Sequence, residues 1–178
     1  MDENRIAWYW SPRSVYLAGS AFCAALIAAA LYFQHVGGLE PCPLCISQRI
    51  GIMAVGAIFL AAALHNPGRI GQRVYALAGL LAALGGAAIS TRHVWLQHLP
   101  PEEVPACGPG LEYMLRNFPF AETLKFMLSG TGDCAKVDWT LFGVSMPGWT
   151  LVCFLLLAGL ALFQFWRVRH PKFLYYKV

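Results

Sequence analysis

Cys42 and Cys45 form a Cys-x-x-Cys motif directly before a long apolar run. A thiol at the start of a helix lies beside unpaired backbone N–H groups and the positive end of the helix dipole, which lower a cysteine pKa. The motif therefore favours a redox-active dithiol. A structural disulfide is the weaker alternative, because a bridge closing so short a loop stabilises little. A zinc site needs two more ligands, and His35 is the sole other candidate close in sequence, so we expect no metal.

Arg49 lies four residues after Cys45, which places it one helical turn deeper on the same face. A guanidinium at the edge of a membrane needs a partner. It could snorkel to the lipid headgroups. We favour a functional role, because a charge in lipid is costly: Arg49 would stabilise the Cys45 thiolate and donate a hydrogen bond to a carbonyl oxygen of an electron acceptor.

Cys107 and Cys134 lie in glycine-rich segments, where we expect neither sulfur to be buried by regular structure. Exposed disulfides between mobile segments exchange readily, so two cysteine pairs on one face could pass electrons by thiol–disulfide exchange. A structural staple across the loop is the alternative. Cys23 and Cys153 lie deep in apolar runs, where a thiol usually serves as a small packing residue.

The composition indicates which elements must position these residues. Of the 178 residues, 58% are hydrophobic and 12% are charged, whereas about 25% of a soluble domain is charged. We therefore do not expect a water-soluble globule, and the bilayer is the expected solvent. The net charge is only +4 and the basic residues are scattered, so nucleic acid is not an expected partner.

Four apolar stretches, at about 14–33, 46–64, 74–91 and 148–166, are long enough to span a membrane as helices. They leave loops at about 34–45 and 92–147. The sequence predicts an all-α membrane protein, a four-helix bundle forming a single domain over 1–178. A cleaved signal peptide is the alternative for the first stretch, but that stretch is longer than a typical signal.

Basic residues lie before the first stretch, between the second and third, and after the fourth, which is one side of a four-helix bundle. Such residues favour the cytoplasmic side of a membrane. We therefore expect both termini inside and the four loop cysteines outside. The basic residues are Arg5, Arg13, Arg69, Arg73, Arg167, Arg169, Lys172 and Lys177. The long loop instead carries six acids, and its segment 111–128 spaces apolar residues like a short amphipathic helix, broken at Pro119, in the membrane interface. A loop packing on the bundle is the alternative.

Several short motifs occur in one order along nearly the whole chain, and together they resemble the disulfide bond formation protein B (DsbB) family. They are Phe33-Gln34-His35-Val36, Pro41-Cys42-Pro43-Leu44-Cys45, Gln48-Arg49, His93 with Leu96-Gln97, Gly132-Asp133-Cys134-Ala135 and Met146-Pro147-x-Trp149. The resemblance implies a quinone-dependent thiol oxidase of the bacterial inner membrane. Such an enzyme reoxidises a periplasmic thioredoxin-like partner of the DsbA type and passes the electrons to the respiratory pool of ubiquinone or menaquinone.

The resemblance also implies roles for individual residues. Cys107 would form the mixed disulfide with the reduced partner, and Cys134 would then be released to attack Cys42. Cys45 would deliver the electron pair to the quinone.

Three further positions match residues that lie beside the quinone in this family: Arg49, His93 and Gln97. Without the resemblance, His93 could equally be an ordinary interfacial histidine.

The sequence leaves two alternative functions. A vitamin K epoxide reductase-like protein also combines a small helical bundle, a Cys-x-x-Cys motif and a quinone, but its active pair is expected on a later helix. A non-enzymatic tetraspan scaffold would use its disulfides only to staple loops.

Overall fold

The computed structural model describes residues 11–100, 102–106 and 111–169. Within this part of the chain, four long helices form a bundle and a long connection folds back over one end. The elements are α1 (Pro12–His35), α2 (Pro43–His65), α3 (Arg69–Gln97), α4 (Leu111–Asn117), α5 (Phe120–Ser129), a 3-10 turn (Gly132–Ala135), an antiparallel hairpin of β1 (Thr140–Leu141) and β2 (Val144–Ser145), and α6 (Met146–Arg169).

Helices α1, α2, α3 and α6 are long and apolar enough to cross a membrane. The predicted four-helix bundle is therefore confirmed. One end of the bundle, which we call the cysteine end, carries Cys42, Cys45 and Cys134. The opposite end, which we call the basic end, carries Arg13, Arg69, Arg73 and Arg167.

The helices extend beyond the apolar stretches predicted from the sequence. α3 begins at Arg69 rather than 74 and ends at Gln97 rather than 91, and α2 begins at Pro43 rather than 46. Hydropathy marks only the part of a helix that needs lipid, whereas helical hydrogen bonding continues until a cap ends it. Both cysteines of the motif consequently lie at the first turn of α2, and His93 lies inside α3.

The bundle core is made of small and aromatic side chains in close contact. Phe154 and Phe59 are fully buried, and the centroids of the Tyr16 and Phe59 rings lie 5.5 Å apart. The Phe154 ring covers Gly86 so closely that a Cβ at that position would overlap it. Glycine therefore allows α3 and α6 to approach each other.

The long connection contains the break predicted at Pro119, because α4 ends at Asn117 and α5 begins at Phe120. α5 buries Thr123, whose hydroxyl hydrogen-bonds the Met114 carbonyl at 3.3 Å, and exposes apolar side chains on its other face. Its contact with a membrane interface stays a prediction. The hairpin was not anticipated. Its two-residue turn has positive φ at Phe142 (52°) and Gly143 (77°). Strands of only two residues are too short to show an alternating hydrophobic pattern, so the sequence did not predict the hairpin.

Candidate active site

The Cys-x-x-Cys motif forms the start of α2. Cys42 is the N-cap residue, Pro43 occupies the first helical position, and Cys45 lies within the first turn. Proline suits that position because its missing N–H would be unpaired there in any case. The Cys45 N–H donates to the Cys42 sulfur at 3.4 Å, and the two sulfurs lie 3.1 Å apart as free thiols. The motif is thus held by helix geometry with both thiols within reaction distance.

Cys134 lies directly beside this motif. It belongs to the 3-10 turn, is fully buried, and packs with Leu44 and Leu96. The expectation that its sulfur would escape burial by regular structure is wrong. Gly130, at φ 80°, brings the chain against these same two leucine side chains and carries the turn onto α2 and α3. A glycine-rich stretch permits this close approach as readily as it permits mobility.

The three thiols form a hydrogen-bonded series: Cys134 donates to Cys42, and Cys42 donates to Cys45. The Cys134 bond acts to lower the pKa of Cys42, but the bond to Cys45, burial and the Cys45 charge outweigh it and raise that pKa to about 12. The bond to Cys42, together with burial, also raises the pKa of Cys134. The start of the helix therefore does not give Cys42 a lowered pKa, contrary to what the motif alone suggests. The series instead ends on the Cys45 sulfur, which accepts.

His93 reaches the same thiols from the last turns of α3. The side chain is 2% exposed, and its Nε2 lies 3.7 Å from the Cys42 sulfur. Its Nδ1 lies 3.1 Å from Nε2 of Gln48, which is also buried. In this orientation the Gln48 amide donates to Nδ1, so the proton of the neutral ring lies on Nε2 and faces Cys42.

Sequence reasoning used Gln48 only as part of a motif and gave it no role. Its signal is an uncharged amide in an apolar helix, three residues after Cys45 and therefore near the same face. A buried amide of that kind needs a hydrogen-bond partner. That partner lies 45 residues away and could not be identified from local sequence.

Arg49 is half-buried and contacts α1. One guanidinium nitrogen donates to Gln34 Oε1, and another donates to the Ala30 carbonyl at 3.0 Å. The charge also lies within electrostatic range of the Cys45 sulfur. The guanidinium thus has protein partners without reaching for headgroups.

Gln97 joins α3 to the long connection. Its Oε1 accepts a hydrogen bond from Ser145 at 2.7 Å, and its Nε2 lies 3.5 Å from the Lys136 carbonyl. Both ends of the amide are therefore engaged with the chain itself. A role beside a quinone stays a prediction for Gln97.

A cavity of about 750 Å³ opens next to the thiols, a size typical of small-molecule sites. Its polar wall brings together every described residue that the sequence assigned to quinone binding. That wall contains Cys42, Cys45, Gln48, Arg49, His93 and Gln97, and its apolar wall includes Leu26, Phe33, Ile52, Met146 and Trp149. Polar groups that converge at one end of an apolar cavity can orient a flat, mainly apolar ligand.

The remaining cysteines and histidines fall outside this cluster or outside the described residues. Cys107 lies outside the described residues. Cys23 is buried against Gly56, and Cys153 lies half-buried on the cavity wall. His35 and His98, for which the sequence offered no role, are exposed.

His93 is a third potential metal ligand beside the two thiols of the motif. The ligand atoms of Cys42, Cys45 and His93 all lie within 4.8 Å of one another. Near the motif in sequence, the further candidate was His35, whereas His93 belongs to another helix and was not expected as a ligand.

Comparison with known proteins shows the family to which the chain is similar. Residues 12–164 match the family model described as disulfide bond formation protein DsbB. Disulfide bond formation protein B of Methylococcus capsulatus is 68% identical over 157 residues, which cover 88% of this chain and 96% of that protein.

Less similar relatives match over a comparable length of the chain. Disulfide bond formation protein B of Hahella chejuensis is 53% identical over 166 residues, covering 93% of this chain and 99% of that protein. Disulfide bond formation protein B 1 of Pseudomonas aeruginosa is 46% identical over 157 residues, covering 88% and 96%. The family match covers α1, α2 and α3, both connections at the cysteine end, and α6 as far as residue 164.

Proposed function

This chain belongs to the DsbB family of disulfide bond formation proteins, and on that premise we propose that it reoxidises a periplasmic DsbA-like dithiol and passes the electrons to a membrane quinone. Family membership and the four long apolar helices make the chain a multi-pass membrane protein and a disulfide-forming oxidoreductase. The observation that carries the finer proposal is the series of three thiols at the mouth of the cavity.

The proposed transfer begins at the long loop. A thiolate of the reduced partner attacks Cys107 of a Cys107–Cys134 disulfide, which forms a mixed disulfide and releases Cys134. Cys134 then attacks Cys42 of the Cys42–Cys45 disulfide, so that a Cys42–Cys134 bond forms and the electron pair of the broken bond resides on Cys45. The partner's second thiolate attacks the mixed disulfide, which oxidises the partner and releases Cys107. Cys107 attacks Cys134, which re-forms the Cys107–Cys134 bond and releases Cys42, so that Cys42 and Cys45 hold the electron pair taken from the partner. The burial of Cys134 beside Cys42 supports this order, because attack requires contact between the two sulfurs.

The residues around Cys45 suit the holding of that electron pair. The charge of Arg49 and the start of α2 both favour a thiolate at this sulfur. His93 directs its Nε2–H toward the Cys42 sulfur, where it can stabilise negative charge as Cys42 changes between thiol and disulfide. Burial of His93 and Gln48 keeps water away from this exchange.

The cavity fits a quinone by the chemistry of its walls. A quinone needs an apolar slot for its ring and donors for its carbonyl oxygens. The apolar wall offers the slot, and Arg49 and His93 are the candidate donors. When bound, a quinone would supply an acceptor for two electrons and two protons. This chain's part is to bring Cys45 to the slot and to orient the donors.

The proposed location is the bacterial inner membrane, with both termini in the cytoplasm. The basic end of the bundle carries Arg13, Arg69, Arg73 and Arg167, and such residues favour the cytoplasmic side. The cysteine end would then face the periplasm, where disulfides persist. The family match favours this function over the vitamin K epoxide reductase-like and scaffold alternatives.

The test is quinone reduction by the purified full-length protein in lipid nanodiscs with a reduced DsbA-like partner. We expect turnover that requires both components. Cys107→Ser should abolish partner-dependent turnover while a chemically reduced Cys42–Cys45 pair still reduces quinone. Cys23→Ala is the matched control and should leave turnover nearly unchanged. Partner-dependent turnover that survives Cys42→Ser would contradict the proposal.

A further inference from the structure

We propose that the reduced protein binds one thiophilic divalent metal ion, of the Zn²⁺ class, through Cys42, Cys45 and His93. The bound ion would hold both thiolates and stop electron transfer from them. The binding itself is independent of the proposed function, whereas the inhibition rests on it.

The geometry of the three ligand atoms supports the site. In a tetrahedral zinc site, ligand bonds of about 2.3 Å to sulfur and about 2.0–2.1 Å to nitrogen place two sulfurs about 3.8 Å apart and a sulfur and a nitrogen about 3.6 Å apart. The observed separations are 3.1 Å between the sulfurs and 3.7 Å between Cys42 Sγ and His93 Nε2. Small side-chain rotations at the two cysteines therefore suffice to admit an ion.

Gln48 provides the outer contact that a metal-bound histidine requires. A ligating imidazole usually donates its other ring N–H to an oxygen, which fixes the tautomer and the ring orientation. Gln48 already contacts His93 Nδ1 at 3.1 Å, and a half-turn of its amide presents Oε1 to an Nδ1–H. The Nε2 lone pair is then free to bind an ion beside Cys42.

Charge and proton balance limit the site to one redox state. Binding of Zn²⁺ to both cysteine sulfurs and one neutral imidazole forms two metal–sulfur bonds and one metal–nitrogen bond, and it releases to solvent every proton that the two thiols still carry. The two thiolate charges neutralise the ion. The charge of Arg49 opposes a nearby cation, but its guanidinium is turned to Gln34 and Ala30. The Cys42–Cys45 disulfide has no thiolates, so the oxidised protein should not bind.

Three protein ligands leave one coordination position, and all three line the same cavity. Sites with three protein ligands commonly keep water or substrate in the fourth position. A small ion can therefore enter by the route that serves the cavity.

The binding test uses full-length, reduced, quinone-free protein with Co²⁺ as a spectroscopic probe for Zn²⁺. We expect one Co²⁺ per chain, with thiolate-to-cobalt absorption and the visible bands of a tetrahedral site, and displacement by Zn²⁺. Oxidised protein should show neither. A Cys107→Ser, Cys134→Ser double variant should retain the spectrum, because neither residue is a proposed ligand.

Matched variants test the third ligand and its outer contact. His93→Ala should weaken Co²⁺ affinity at least 10-fold and alter the spectrum, whereas His98→Ala, an exposed histidine at the same helix end, should change nothing. Gln48→Leu should weaken affinity about 10- to 100-fold, and Gln48→Glu should restore it. An unchanged spectrum in His93→Ala, or equal binding by oxidised protein, would overturn the site.

A separate measurement tests the inhibition. Prereduced protein is mixed with quinone with and without Zn²⁺, and its reoxidation is followed. We expect Zn²⁺ to stop reoxidation and a chelator to restore it. Quinone reactivity that persists with the site fully loaded would overturn the inhibition. If no reoxidation occurs even without Zn²⁺, the proposed function is wrong. The Co²⁺ titration then still shows whether the metal site exists.

Discussion

Cys42 stands between a thiol that donates to it and a sulfur that accepts from it. This position explains why two cysteines of one short motif differ chemically although they share a helix end. The helix dipole acts on both, whereas the hydrogen bonds act in opposite senses on the two. Local contacts at the sulfur therefore decide which cysteine carries the charge.

The raised pKa values of Cys42 and Cys134 predict an alkaline loss of stability in the reduced protein. Both thiols have an ordinary pKa of 9.0, and the folded protein raises the pKa of Cys42 to about 12 and raises that of Cys134 as well. The folded state then keeps protons that the unfolded state loses. Their contribution is fully present below about pH 9 and falls as pH rises towards 12, by up to about 1.4 kcal/mol per pH unit and thiol.

Thermal unfolding of reduced protein between pH 8 and 10.5 measures this effect. We expect the melting temperature to fall more steeply with pH in the unaltered protein than in Cys134→Ala, which lacks one of the two thiols. Other alkaline effects are common to both proteins and cancel in the comparison. Parallel pH profiles would show that the thiol series does not hold protons in the folded state.

Arg49→Lys separates charge from hydrogen-bond geometry. Lysine keeps the charge but loses the planar fork that donates to Gln34 and Ala30. Without that fork, the side chain is not held in place to donate to a quinone carbonyl. We expect a folded protein whose apparent quinone KM rises about one to two powers of ten, the effect of losing one charge-assisted hydrogen bond to the quinone of roughly 1.5–3 kcal/mol. Arg92→Lys is the control, since Arg92 lies at the same end of the bundle but stacks on Trp95. An unchanged KM in Arg49→Lys would remove Arg49 from the quinone site.

At the scale of elements, the start of α2 and the last turns of α3 create the site together. α2 begins at Pro43 with Cys42 as its cap, and α3 continues past the apolar stretch to Gln97. The extra turns of α3 carry His93 and Gln97 to the thiols and to the long connection. Helix length beyond the lipid-crossing part is therefore what places the polar groups.

The packing of α3 on α6 depends on Gly86, which predicts the effect of a single methyl group. A Cβ at Gly86 would overlap the fully buried Phe154 ring, whereas a Cβ at Gly85 meets nothing within 4 Å. We expect Gly86→Ala to destabilise the protein by about 1–3 kcal/mol, as overpacking does. Gly85→Ala should be neutral or slightly stabilising, because alanine favours helix over glycine. Thermal unfolding in detergent compares the two variants, and equal stabilities would contradict the close approach of α3 and α6.

At the scale of the whole molecule, the bundle separates its two ends by charge and by chemistry. In the part of the chain that the structure describes, the basic end carries Arg13, Arg69, Arg73 and Arg167 without an acidic residue, whereas the acidic residues lie at the other end with the thiols, the cavity and the long connection. Such a separation is what a protein needs if it is to exchange disulfides on one side of a membrane only.

Cysteine labelling tests this orientation in spheroplasts. In a background without accessible native cysteines, a membrane-impermeant maleimide should label Glu103→Cys in intact spheroplasts. Arg73→Cys should be labelled only after permeabilisation, although both positions are exposed in the structure. The opposite pattern would overturn the periplasmic position of the cysteine end, and the proposed partner with it.

Much of the fold could be predicted from composition and spacing. Long apolar stretches predict spanning helices because lipid offers no hydrogen-bond partner to the backbone, so each segment must pair its own N–H and C=O groups. Each such helix can therefore be identified from its own stretch of sequence. The Cys-x-x-Cys motif and the break at Pro119 are local features for the same reason. The burial of Cys134, the hairpin at Phe142 and the role of Gln48 depend on partners far along the chain and left no local signal.

The sequence by itself determined the four long apolar helices, the charge asymmetry and the position of the Cys-x-x-Cys motif at a helix start, because each depends on neighbours within a few helical turns. Only the tertiary structure decided that Cys134 and His93 meet at Cys42, and that Gln48 contacts His93 from its other side. Gln48 and His93 are 45 residues apart, and Cys42 and His93 are 51 apart, so these contacts arise from the packing of α2 on α3. Cys134 joins them because Gly130 lets the long connection lie against Leu44 and Leu96. Burial then turns three separate polar groups into one hydrogen-bonded site, since a polar group removed from water must find its partner within the protein.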